Sequence, residues 1–143
     1  AKISSLKIGD VIYYSQNPRR ELVGVSLIKS LSGTNTYENT GTIDNEILYG
    51  MVYDILFGQI DPDANRRADV FTVQRDKYNP ALLRKPFVHT TNPPPIFVYE
   101  RKINKISFGS LDDFRLANYG KGDNVFMHII NGTVQGIVLV RDF

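Results

Sequence analysis

The dipeptide Asn131-Gly132, set between the apolar runs 125–130 and 133–140, constrains this chain more than any other feature. A type I′ turn needs φ > 0 at both central positions, which Asn and Gly accept most readily, and its twist matches that of two paired strands. The β-branched residues on either side suit a pleated, half-buried surface. Residues 125–140 are therefore expected to form a hairpin, with Gly136 marking a bulge.

The same reasoning extends through the chain. Residues 7–16 pass from a Gly9-Asp10 turn into Val11-Ile12-Tyr13-Tyr14, a strand signal, and Asn17-Pro18 ends it. Residues 22–31 supply a second strand with Gly24 as its bulge, paired to the first through the Pro18-Arg19-Arg20 tip. Further strands are expected at 70–75, 87–91, 96–101 and 103–108. Lys121-Gly122-Asp123 opens the strand at Val125 much as Lys7-Ile8-Gly9-Asp10 opens the one at Val11, which reads as shared turn chemistry and not as a repeat.

Three segments read as helical. In 45–57 the apolar residues Ile47, Leu48, Met51, Val52, Ile55 and Leu56 fall on one helical face, with Asp44 as cap, Glu46 in the first turn and Gly58 as terminator. Against this stand Gly50, which costs about 1 kcal/mol inside a helix, and a β-branched and aromatic content that suits a buried strand. Pro80 favours a short helical turn over 79–83. Ser110, with Asp112 and Asp113 in the first turn, reads as a capped helix start closed by Gly120. The fold class is thus a single β-rich α+β domain: an antiparallel sheet or partly open small barrel of about eight strands, with two or three short helices.

Composition narrows the chemistry. With no cysteine, thiol catalysis, thiolate zinc sites and disulfides are excluded. With 17 basic against 15 acidic residues, charge alone implies neither nucleic acid nor a membrane surface as partner. No run approaches the ~20 apolar residues that span a bilayer, so no membrane partner is expected. The start, Ala1-Lys2-Ile3, does not read as a signal peptide and suggests removal of an initiator methionine in a cytosol.

Motifs for catalysis or cofactors fail on inspection. Asp61, Asp63, Asn65 and Asp69 have the spacing of a calcium loop, but Arg66 stands where that loop needs glycine and Thr72 where it needs glutamate. His89-Thr90-Thr91 has the His-x-Thr spacing of one half of a two-histidine phosphoesterase site, yet His128 lacks the matching hydroxyl. Phosphate-loop, dinucleotide and serine-elbow signatures are missing. No metal, cofactor or catalytic residue is expected. Asn131-Gly132-Thr133 fits a glycosylation sequon, which a tight hairpin makes a poor acceptor.

What remains is an expectation of a non-enzymatic structural or protein-interaction protein that assembles with itself or into a larger complex. Its small size and its Asn, Thr and Tyr content resemble components of phage and virus particles, such as capsid-decoration or tail and neck proteins. That resemblance implies a virion location, with the cytoplasm as the other. The long polar loop 32–44, with Tyr37 and Asn39, and the rigid run Pro93-Pro94-Pro95 are the expected interfaces. The alternative is a small barrel-type module that binds nucleic acid or a nucleotide. Arg19, Arg20, Arg66, Arg67 and Arg101 would carry it, beside Lys105 and the aromatics Tyr13, Tyr14, Phe97, Tyr99 and Phe108.

Overall fold

The structure, a computed structural model, describes residues 6–33, 37–114 and 122–141. A two-stranded hairpin, β1 (Asp10–Gln16) and β2 (Leu22–Ser30), stands apart from a nine-stranded sheet. The sheet comprises β3 (Glu38–Thr42), β4 (Asn45–Asp61), β5 (Arg66–Gln74), β6 (Leu83–Arg84), β7 (Phe87–His89), β8 (Ile96–Glu100), β9 (Lys105–Gly109), β10 (Asn124–Ile130) and β11 (Thr133–Arg141). Its order is β6-β5-β4-β10-β11-β8-β9, with β3 also on β4 and β7 also on β5. The sheets do not close into a barrel. Nor is the large sheet wholly antiparallel, because β8 runs parallel to β11.

The hairpin at Asn131-Gly132 forms as expected, with both residues at positive φ and a bulge at Gln135, beside Gly136. The β1–β2 hairpin forms too, with its irregularity beside Gly24. The expected helices do not. Among the described residues there is no α-helix, only 3-10 turns at Arg101–Ile103 and Leu111–Phe114. Residues 79–82 are turn and coil leading into β6. At Ser110 the Asp113 half of the expected capping box is present: Ser110 N–H donates to Asp113 Oδ2 (2.9 Å), while Asp113 N–H donates to the Ser110 carbonyl (3.1 Å) and not to its hydroxyl. It starts a 3-10 turn that buries Leu111 and Phe114. Gly120 lies outside the described residues.

The chief correction concerns 45–57, which is the first part of the 17-residue strand β4. Its helical spacing has a specific origin. Tyr53 is an extra residue between the pairs Val52↔Val73 and Asp54↔Thr72. That bulge flips the alternation, so Leu48, Val52 and Ile55 face one core at intervals of four and three, as on a helix. The polar loop 32–44 is likewise shortened, because Glu38–Thr42 forms β3 and turns through Ile43-Asp44 into β4.

Each face of the sheet buries its own apolar cluster. One holds Leu48, Val52, Phe71, Met127, Leu139 and their neighbours, with Phe71 and Phe114 edge to face at 5.1 Å between centroids. The other holds Tyr49, Tyr99, Phe126 and Val140, covered by Leu31, Val11 and Ile28 of the hairpin segment.

Candidate functional site

Side chains alone hold the hairpin to the sheet among the described residues, since no ladder joins the two. His128 Nε2 lies 2.7 Å from Asn45 Oδ1 and 3.0 Å from Tyr13 Oη. Burial lowers the imidazole pKa, so the ring is neutral near pH 7 and bridges β1 to the β3–β4 turn. Lys29 Nζ pairs with Glu38 at 2.9 Å and sits 5.0 Å above the Tyr49 ring. Burial would raise the Glu38 pKa, but hydrogen bonds from Lys29 and Thr40 outweigh it and hold the carboxyl low. Gly9, at φ +95, lets the start of β1 lie on the Tyr99 ring, where a Cβ would come within 2.8 Å. This is the physical basis of the Gly9-Asp10 opening.

The hairpin is narrower than the face it covers. It buries Tyr49, Tyr99, Phe126 and Val140 and leaves the outer strands open. Between the two runs an apolar groove of ≈ 390 Å³, walled by Val11, Ile12, Tyr14, Phe97, Ile106 and Val138. It continues for ≈ 220 Å³ past Tyr13 towards His128. At its outer lip Phe108, 88% exposed, leans on Phe97 at 5.4 Å. Tyr14 is 61% and Ile106 43% exposed. Phe97 pairs with Phe108 and Tyr99 with Ile106, so these side chains share the groove face. Strand β9 ends the sheet, and its outer edge has no ladder partner among the described residues.

The polar clusters elsewhere link strands and turns of the sheet. Asp61 Oδ2 meets His89 Nε2 at 2.8 Å, and both residues are buried. Burial would raise the Asp61 pKa, but bonds from His89 and from the Asp63 and Ala64 amides keep it below the usual carboxylate range. Asp61 and His89, which sequence reasoning weighed separately, thus form one pair that ties β7 to the β4–β5 turn. Asp69 is fully buried and accepts the Gly58 amide. Among the described residues no three His, Asp or Glu groups cluster to hold a metal. Glu46 takes a bidentate bond from Arg84 (both contacts 3.0 Å) and a 2.6 Å bond from Asn39, which accepts from Arg75.

The residues expected at interfaces are dispersed. Asn39 sits inside the Glu46 network, and Tyr37 is half-buried beside Arg75 and Leu82. Pro93, Pro94 and Pro95 join β7 to β8, and the Pro95 carbonyl accepts the Ile137 amide. Arg19 and Arg20 lie at the β1–β2 tip, Arg66 and Arg67 at the start of β5, and Arg101 in the β8–β9 turn. Arg66 donates to the Thr91 carbonyl and Arg101 to that of Gly33. The expected sheet-face aromatics do gather: Tyr13, Tyr14 and Phe97 line the groove, Phe108 stands at its lip, and Tyr99 is buried beneath the hairpin. Ile12, Ile106 and Val138 were missed, because a strand's place at a sheet edge is a property of topology and not of local sequence. No helix among the described residues is long and apolar enough to cross a membrane. Comparison with protein-family models, with curated proteins and with solved structures returned no match.

Proposed function

We propose that this chain is a non-enzymatic, protein-binding structural module that docks its partner in the groove between β1 and β8–β9. One observation carries the reading: Tyr14, Phe97, Ile106 and Phe108 form a continuous apolar surface beside a strand edge that has no ladder partner among the described residues. Grouped exposed apolar side chains mark interaction surfaces, whereas scattered ones need no explanation. A free edge gives an extended partner main-chain hydrogen bonds, and the adjoining groove accepts its alternate side chains. The arginines sit at the β1–β2 tip, the start of β5 and the β8–β9 turn, and two of them already donate to the chain's own carbonyls. That favours a protein partner over nucleic acid. Composition alone speaks for a virion as the setting.

The test is a photo-reactive phenylalanine analogue placed at Phe108 and, as control, at Tyr53. The reading expects a discrete adduct with a protein from position 108 that a Tyr14→Asp change abolishes. Diffuse or equal labelling from both positions would refute it.

A further inference from the structure

We propose that the occupant of the β9 edge is a second copy of this chain, paired with the first antiparallel about a two-fold axis at Ser107. The proposal rests on the docking reading above and adds the partner and its register.

Sheets blunt a terminal strand with a short length, a lysine, a bulge, a proline or inward-pointing charges. Of these strand β9 has only Lys105, at its first position, and its five-residue length. It pairs with β8 in unbroken register from Lys105 to Gly109, contains no proline, and turns Ile106 and Phe108 towards the groove. The far end of the sheet, by contrast, stops in the two-residue strand β6.

The sequence of β9 is complementary to itself when reversed. Ser107 is the middle of the five residues, so a two-fold axis there pairs the whole strand. Ile106 then faces Phe108 of the other copy, twice, on the groove side. Lys105 faces Gly109, so the two lysines do not oppose each other. The flanks extend the match. Arg101, Lys102 and Lys105 lie at the N-terminal end of β9, against Glu100 on β8, while Asp112 and Asp113 follow its C-terminal end. Antiparallel pairing sets the basic end of each copy beside the acidic end of the other, whereas parallel stacking would align like charges. Such rim charges set orientation and encounter rate more than affinity. The interface is isologous, so it closes at two copies and does not propagate as a fibre.

Five residues and two apolar anchors per copy make a small interface of the weak class, so the experiment spans ~1 µM to ~1 mM. Sedimentation or light scattering is expected to show mass rising from one chain to two across this range. Phe108→Asp should move the midpoint at least about tenfold upward. Lys102→Glu with Lys105→Glu should weaken pairing, and adding Asp112→Lys should restore it. Ser107→Cys gives a direct test of register, because the chain has no other cysteine. Opposed residues in antiparallel strands lie about 4.5–5.5 Å apart between Cα atoms, within the span of a disulfide. Mild oxidation should therefore couple Ser107→Cys at least about tenfold faster than Tyr53→Cys. This variant leaves the apolar face intact, so it reports even where Phe108→Asp fails to fold. A chain that stays monomeric to ~1 mM, with no faster coupling at 107, overturns the proposal. If the analogue at Phe108 still labels another protein, the docking reading survives without it. If it labels none, both fall.

Discussion

Replacing Gly50 with alanine separates the observed strand from the helix that its sequence suggests, because the two give opposite signs. In a helix interior, glycine to alanine stabilises by about 0.8–1 kcal/mol. In β4 the added Cβ would lie 1.9 Å from the Gln74 carbonyl oxygen of β5 and 3.0 Å from a Val73 methyl. Real Cβ atoms stay beyond 3.0 Å, so the two backbones must part by about 1 Å where strands pair at a spacing of about 4.8 Å. The parting falls beside the Met51↔Gln74 and Val52↔Val73 pairs. Two ladder bonds loosened there cost about 1 kcal/mol each. Strained packing around the fully buried Val52 and Val73 adds about 1–3 kcal/mol more. The expected loss is about 3–5 kcal/mol. With a urea m-value of about 2 kcal/mol/M, the midpoint should fall by about 1.5–2.5 M. Equilibrium urea unfolding followed by circular dichroism measures this. An unchanged or raised midpoint would refute the strand reading of 45–57 and the close approach behind it.

Other perturbations test the polar contacts. Asp61→Ala leaves the buried His89 ring without its hydrogen-bond partner and is expected to cost about 1–3 kcal/mol, read by chemical denaturation; a change under about 0.5 kcal/mol would mean the pair is idle. The His128 pKa is lowered in the folded state, so the unfolded chain binds that proton more readily and stability rises with pH. That contribution is complete above about pH 6.5 and drains away as pH falls through this value to the depressed folded one. Asp61, Glu38 and Glu46 are also held low, so their share persists to about pH 4.5 and is lost below it. Urea midpoints measured from about pH 2 to 8 should show both falls, and His128→Gln should flatten only the upper one. Lys29→Ala removes the Glu38 and Tyr49 contacts, so amides of β1 and β2 should exchange faster while those of β10 and β11 hold.

What could be read from the sequence depended on the distance over which a signal acts. The Asn131-Gly132 turn and the Asp113 bond to the Ser110 amide are settled within a few residues, and both appear where the residues place them, although the latter opens a 3-10 turn and not the expected helix. Strand β4 was misread because it is apolar on two faces and carries a bulge. Its pattern is set by the cores it divides and not by a local period. The parallel pairing of β8 with β11 leaves no local trace at all. The groove follows the same division. Its aromatics stood out as residues, but their meeting depends on where the hairpin lies and on which strand ends the sheet.

The reach of β4 also bears on how the molecule comes into being. Its partners β3 and β5 join it through tight turns, and such hairpins close in about 1–10 µs. Its third partner is remote: Met51 meets Asn124. At a ribosome adding about 5–20 residues per second, the 50 residues from the end of β5 at Gln74 to Asn124 take about 2.5–10 s to emerge. For those seconds a finished β-meander holds open the slot that β10 will fill, and a neighbouring nascent chain carries the same insert. Slowing synthesis after β5 should therefore favour exchange of the β10–β11 hairpin between chains.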